Sequence, residues 1–177
     1  VNISDGSQPV GNGIGPALEA RDIVEVLKNE KGAPQDLREK VLHLAGIVLE
    51  FDSKVARDEG RKIAEEILNS GRAWERFKKI CEAQNGGKMK EIPTAKFTYD
   101  VLSKTSGTVD SFDNYKLSQL ARLAGCPSQW AAGVYLHKHL GDRVKVDEKL
   151  YTIHSNSSGE LEMAKKLAEE NEIVEIK

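Results

Sequence analysis

Gly86-Gly87-Lys88-Met89-Lys90-Glu91-Ile92-Pro93-Thr94 divides the chain into two kinds of pattern. Paired glycines admit left-handed backbone and stop a helix, Pro93 cannot sit inside one, and Lys88-Met89-Lys90 reads as a solvated linker rather than a phosphate site. Before this stretch the apolar residues recur at the 3.6-residue period of helices. Pro16 suits a first helical position, and Ala17, Ala20, Val24 and Leu27 follow it on one stripe, with a stop expected near Asn29 to Gly32. Pro34 can open a second helix whose apolar face is Leu37, Val41, Leu44, Ala45 and Val48. A third runs through Ile63, Ala64, Ile67 and Leu68 to Asn69-Ser70-Gly71, and a fourth carries Trp74, Phe77, Ile80 and Cys81. After it, Lys96–Leu102, Thr108–Phe112, Gly133–Lys138, Arg143–Val146 and Leu150–His154 are short and β-branched or alternating, as strands are. Helical periodicity returns at Tyr115–Ala124 and Glu160–Asn171. The expectation is an α+β fold in two parts, residues 1–91 mainly helical and residues 92–177 an α+β unit, without internal repeats.

The 177 residues carry 26 Lys+Arg against 28 Asp+Glu, a net charge of −2, and 39% of them are hydrophobic. That apolar fraction is too high for charge-driven disorder, and no run is long or apolar enough for a spanning helix. A balance near neutrality provides no general field for polyanions, so nucleic acid is not expected as a partner, nor is a membrane. Two cysteines, Cys81 and Cys126, are too few for a disulfide framework and fit a reducing cytoplasm. The opening Val-Asn-Ile-Ser-Asp has no initiator Met and no signal-peptide pattern, so the chain reads as trimmed or as a piece of something longer.

The densest punctuation is Ser4-Asp5-Gly6-Ser7-Gln8-Pro9-Val10-Gly11-Asn12-Gly13-Ile14-Gly15-Pro16, a glycine-rich loop leading into a helix. Such a loop can offer N–H groups to an anion or carbonyls to a cation. It is no dinucleotide fingerprint, because the third glycine after Gly11 and Gly13 would fall on Pro16, and no Gly-Lys-Ser/Thr makes it a P-loop. On spacing alone a structural turn is the preferred reading. His137 and His139 alternate on a strand, a spacing that can chelate a metal, but without a third ligand nearby they read as exposed strand residues. His43 lies beside the apolar face of its helix and reads as a boundary residue. Cys126 precedes Pro127 in a loop with nothing to lower its pKa, so it is not a nucleophile. No Gly-x-Ser-x-Gly elbow occurs. No catalytic or cofactor-binding residue is therefore assigned.

The segment Ser7-Gln8-Pro9-Val10-Gly11-Asn12-Gly13-Ile14-Gly15-Pro16-Ala17-Leu18-Glu19-Ala20 closely resembles a signature of the thymidine phosphorylase family. Ser106-Gly107-Thr108-Val109, the helix at Asn114–Gly125, Gly133-Val134, Gly141-Asp142-Arg143-Val144 and Leu150-Tyr151-Thr152-Ile153 look like that family's last domain, of barrel-sandwich or hammerhead-like architecture. Gly15-Pro16-Ala17-Leu18-Glu19-Ala20 and His154-Ser155-Asn156-Ser157 look most like its archaeal AMP phosphorylase branch. The resemblance implies phosphorolysis, in which inorganic phosphate attacks the anomeric carbon of a nucleoside or nucleotide, with AMP giving adenine and ribose 1,5-bisphosphate. It also implies that the family's phosphate loop, proton donor and base-binding residues precede Ser7, in an upstream half that would be this chain's partner. A homo-oligomer is implied as well. In pyrimidine-nucleoside relatives this loop and the following helix hold potassium. The matching positions are Val10 and Gly13, through backbone carbonyls, and Asp22, through its carboxylate, where those relatives have Glu.

The run Gly107-Thr108-Val109, Gly141-Asp142-Arg143-Val144 and Leu150-Tyr151-Thr152-Ile153 is also similar to biotinyl and lipoyl carrier modules. A carrier needs a lysine at the hairpin tip after the last strand. Here those positions are His154-Ser155-Asn156-Ser157-Ser158-Gly159-Glu160, and the next lysine, Lys165, falls in a helix, so the similarity reads as shared architecture.

Overall fold

A computed structural model describes residues 2–177 and divides them into two compact units, Arg21–Glu91 on the one hand, and the residues up to Ala20 together with Ile92–Lys177 on the other. One edge of this division lies between Glu91 and Ile92. The amino-terminal 20 residues, expected with the helices, cluster instead with the carboxyl-terminal unit. The cause is a strand of two residues, described below, that joins a sheet of that unit.

The helical unit takes α1 (Pro16–Leu27) from residue 21 onward, then α2 (Gln35–Leu49), α3 (Gly60–Asn69) and α4 (Arg72–Gln84). Its small core is Val26, Ala33, Leu42, Ala64 and Leu68, edged by Leu37, Ala45 and Leu49. Two glycines set how closely α2 and α3 cross: a Cβ at Gly60 would lie 2.1 Å from the Gly46 carbonyl oxygen, and one at Gly46 would lie 2.7 Å from the Arg61 nitrogen. Here the expected apolar face of α2 needs correction. Leu42 and Gly46 are buried, whereas Val41, Leu44 and Val48 are 42%, 44% and 62% exposed. The helix is apolar around most of its circumference, so two stripes satisfy the helical period. Gly46 decides between them, because backbone can approach only where no side chain stands. His43 lies on the exposed side. Gly71, at φ 76°, leads into α4, and Gly86 and Gly87, at φ 69° and 92°, follow its end.

The other unit is α+β with antiparallel sheets. It contains β1 (Gly13–Ile14), β2 (Phe97–Leu102), β3 (Gly107–Phe112), α5 (Asn114–Leu123), β4 (Gly133–Leu136), β5 (Arg143–Val144), β6 (Lys149–Ser155), α6 (Ser158–Glu170) and β7 (Val174–Ile176). One sheet has the order β1-β4-β6-β2 and the other β5-β3-β7. Val134, Leu136, Tyr151 and Ile153 from the first sheet and Val109, Phe112, Val144 and Val174 from the second enter one core, with Leu117, Leu120 and Ala121 of α5 and Ala164 of α6. Asp113 caps α5 by accepting from the Lys116 N–H at 2.9 Å, and Ser157 caps α6 at Glu160. Neither β1 nor β7 was expected from the sequence. Both are too short to show a period, and each exists only because a distant strand lies alongside.

Candidate functional site: the glycine-rich loop and its anchor

The loop from Ser7 to Gly15 is tied at Ser7, Gln8, Asn12, Gly13 and Ile14 to residues 114 to 140. Gln8 accepts the Leu140 N–H through Oε1 at 2.9 Å, and Asn114 donates to the carbonyls of Gly6 and Ser7. Asn12 is the hub. Its carbonyl accepts the Leu136 N–H at 2.7 Å, its Nδ2 donates to the Tyr135 hydroxyl at 3.1 Å, and its Oδ1 lies 2.8 Å from His139 Nε2. With the amide nitrogen committed to Tyr135, Oδ1 can only accept, which places the His139 proton on Nε2. Gly13 and Ile14 then pair with Tyr135 and Val134. The backbones meet so closely that a Cβ at Gly15 would lie 2.5 Å from the Ala132 oxygen, and one at Gly133 would lie 2.0 Å from the Ile14 oxygen. Both glycines also have positive φ, 131° and 153°, which an L side chain resists.

This geometry answers the anion question. An anion at the start of α1 would need the N–H groups there, yet Gly15 N–H donates to Glu19 Oε1 at 2.9 Å and Ala17 N–H donates to the Trp130 carbonyl at 2.9 Å. Glu19 already puts a carboxylate at the positive end of the helix dipole. Two of the N–H groups that an anion would use there are thus already taken.

The potassium candidates are placed as follows. Val10 is exposed in the bend before β1, Gly13 is buried within β1, and Asp22 is buried inside α1 at 2% exposure. Glu25 has its carboxyl raised, first by burial and then by the charge of Asp22. Carbonyl and carboxylate oxygens are the hard donors that a weakly charged cation takes.

The histidine pair is not a pair. β4 ends at Leu136, so His137 and His139 lie beyond it and turn to different partners. His139 goes to Asn12, whereas His137 Nε2 lies 2.7 Å from Thr152 Oγ1, which donates to Asp100 Oδ1 at 2.7 Å, with Lys149 Nζ 2.5 Å from the other carboxylate oxygen. The carboxylate can only accept, so the threonine proton points to Asp100 and the proton of His137 sits on Nε2. Burial, then repulsion by Lys149, lowers the pKa of His137; the hydrogen bonds from Lys149 and Thr152 hold that of Asp100 down. Among the described residues no three His, Cys, Asp or Glu side chains group as a metal centre. Burial pushes the Cys126 thiol up, with Glu19 adding to it, consistent with an unreactive thiol. Sequence reasoning missed Gln8 and Asn12 as the anchoring side chains. Their only local signal is their presence between glycines and a proline.

Residues 108–174, which run from β3 into β7, match the pyrimidine nucleoside phosphorylase C-terminal domain. Over these residues the chain is similar to that family's C-terminal domain. The phosphorylase likeness extends beyond it: a protein of Legionella pneumophila (strain Paris) named "Putative thymidine phosphorylase" is 52% identical over 162 residues, covering 92% of this chain. A protein of the same name from Parvibaculum lavamentivorans is 48% identical over 91% of the chain, and one from Acidovorax sp. (strain JS42) is 43% identical over 93%. The chain spans about a third of the length of these relatives, 31% or 32%. The family is one of nucleoside phosphorylases, transferases of the glycosyl type. These relatives are bacterial, and the carrier reading finds no support: β6 runs through Ser155 into a turn capped by Ser157, and Lys165 lies in α6 with its ammonium 4.9 Å from the centre of the Tyr99 ring. No helix among the described residues is long and apolar enough to cross a membrane.

Proposed function

We propose that this chain is the carboxyl-terminal portion of a cytoplasmic, homo-oligomeric nucleoside or nucleotide phosphorylase, and that it supports the chemistry without performing it. One observation carries this reading: the loop that resembles the family's signature commits the Gln8 and Asn12 side chains and the Ala17 N–H to residues 114 to 140 and the Gly15 N–H to Glu19, which supports an anchor rather than a phosphate cradle. Phosphorolysis lowers its barrier by holding phosphate, sugar and base together, and that positioning is lost whole when one wall of the cleft is missing. The catalytic wall belongs to the upstream part of such an enzyme. The exposed Val41, Leu44 and Val48, with Phe51 at 81% exposure, fit a helical face that this upstream part covers.

For the substrate, Gly15-Pro16-Ala17-Leu18-Glu19-Ala20 and His154-Ser155-Asn156-Ser157 favour AMP, giving adenine and ribose 1,5-bisphosphate, whereas the relatives' printed name is that of a thymidine phosphorylase. We assign potassium in the intact enzyme to the carbonyls of Val10 and Gly13 and the carboxylate of Asp22. The test is base release from AMP, uridine and thymidine with inorganic phosphate. The chain alone is expected to show none, and the intact enzyme is expected to favour AMP and to lose activity or stability without monovalent cation. Turnover by the chain alone at the level of an intact phosphorylase, unaffected by adding the upstream part, would place the active site here and overturn the reading.

A further inference from the structure

The unit that carries the phosphorylase domain leaves two strand edges open on one side. β2 is the outermost strand of its sheet and β7 the outermost of the other. Between them lies a cleft of about 330 Å³, lined on one side by Val101 and Leu102 of β2 and on the other by Val174 and Ile176 of β7. Tyr151 and Ala168 also line it, and both are buried. An outermost strand presents N–H and C=O groups that its own sheet does not use, and natural proteins usually blunt such an edge with lysine or proline. β2, Phe-Thr-Tyr-Asp-Val-Leu, contains neither, and its Phe97 and Leu102 are each 42% exposed.

The mouth of the cleft has a definite sign. Glu169, Glu170 and Glu172 line it with one cation, Lys104, while Lys165, over the Tyr99 ring, and Lys166 stand one turn back on α6. Glu169 and Glu170 end α6, where the helix dipole is already negative, and the last turn of α6 has no basic residue. Lys166 reaches Glu170 only at 3.7 Å, between two well-exposed side chains, and such pairs contribute little. Carboxylates stacked on the negative end of a helix oppose the local rule, and a cation from outside would relieve them.

An apolar slot between two open edges, ringed by acid, matches one kind of occupant. A strand sends alternate side chains to opposite faces, so a peptide alternating apolar and basic residues can set its apolar side chains in the slot while its basic ones reach the rim. We propose that this cleft binds an extended segment of a partner protein, alternating apolar with Lys or Arg, which pairs with the β2 or β7 edge.

The test uses the full chain and the blocked peptide acetyl-Val-Lys-Val-Lys-Val-amide, with binding followed by calorimetry and by amide chemical shifts. The largest shifts are expected at Val101, Leu102, Val174 and Ile176. The glutamate analogue acetyl-Val-Glu-Val-Glu-Val-amide should bind at least about tenfold more weakly, the size that two or three partly exposed charge pairs supply. Two derivatives of the lysine peptide, isomers of each other, N-methylated at its second and third valines or at both lysines, separate strand pairing from loose apolar contact. Only one set of nitrogens can face the protein edge, so one isomer should bind like the parent and the other should lose about tenfold or more. The double variant E169Q/E172Q, altered only at exposed positions, should weaken the lysine peptide and leave amide dispersion intact. Equal binding of lysine and glutamate peptides, equal binding of the two methylated isomers, or shifts away from the cleft would each overturn the proposal. So would a dimer of the chain that the peptide disperses, because the edge would then belong to a second copy.

Discussion

Replacing Asn12 with alanine should detach the glycine-rich loop while leaving the rest of its unit folded. The side chain makes two hydrogen bonds, to His139 Nε2 at 2.8 Å and to the Tyr135 hydroxyl at 3.1 Å. Each such bond is worth about 1 kcal/mol net, and His139 would keep a ring whose Nδ1 is already buried without a hydrogen-bond partner. The expected cost is therefore about 2 kcal/mol, against about 1 kcal/mol for Gln8→Ala, which removes one acceptor from the Leu140 N–H. Urea unfolding followed by Trp130, whose carbonyl anchors Ala17, measures the sum when Trp74 is first replaced by Phe. Amide exchange shows where the loss falls. The Leu136 and Leu140 N–H groups, whose acceptors belong to Asn12 and Gln8, should exchange about 30-fold faster in Asn12→Ala, the factor that 2 kcal/mol gives. Ile153, in the middle of the sheet, should exchange as before. A double-mutant cycle with His139→Ala should give a coupling of at least about 0.5 kcal/mol. A cost below about 0.5 kcal/mol together with strict additivity would mean that the loop is held by its backbone alone, and the hub assigned to Asn12 would be wrong.

Gly60→Ala should destabilise the helical unit by about 2 kcal/mol, because a Cβ 2.1 Å from the Gly46 oxygen forces α2 and α3 apart, whereas Gly32→Ala, with open space around it, should be neutral or slightly stabilising; urea midpoints read from Trp74 in a Trp130→Phe background compare the two. His137 has a folded-state pKa below the ordinary value of about 6.5, so between the two values the unfolded chain binds more protons. Its contribution is present above about pH 6.5 and is lost as pH falls toward the lowered pKa, so His137→Gln should flatten the urea midpoint across that window relative to the parent chain. The exposed face of α2 should drive self-association of the isolated chain, and Val41→Ser, Leu44→Ser and Val48→Ser combined should abolish its concentration-dependent sedimentation without lowering the urea midpoint.

The elements legible in the sequence are those whose determinants are local. α3 through α6 carry their period within their own residues, α5 and α6 with side-chain caps from Asp113 and Ser157 as well, and the strands from β2 to β6 carry β-branched or alternating runs. α2 is legible as a helix but not in its facing, because either of two apolar stripes would serve and the close approach of Gly46 to Gly60, 14 residues on in the chain, decides between them. The glycine-rich loop shows the same thing at longer range. Read alone, Gly13, Gly15 and the residues between them allow a turn, an anion nest or a cation ring, since glycine permits all three. What narrows the choice is what each missing Cβ would strike: the Leu18 backbone for Gly13, the Ala132 oxygen for Gly15, the Ile14 oxygen for Gly133. Those atoms come from α1, from the residue before β4 and from β1, so Gly15 and Gly133 answer to a crossing of backbones more than 100 residues apart in the chain, while Gly13 answers to the start of α1. A loop whose glycines are required by such a crossing cannot also open to receive a dianion. A phosphate site in the proposed intact enzyme would then draw on groups outside residues 7 to 19.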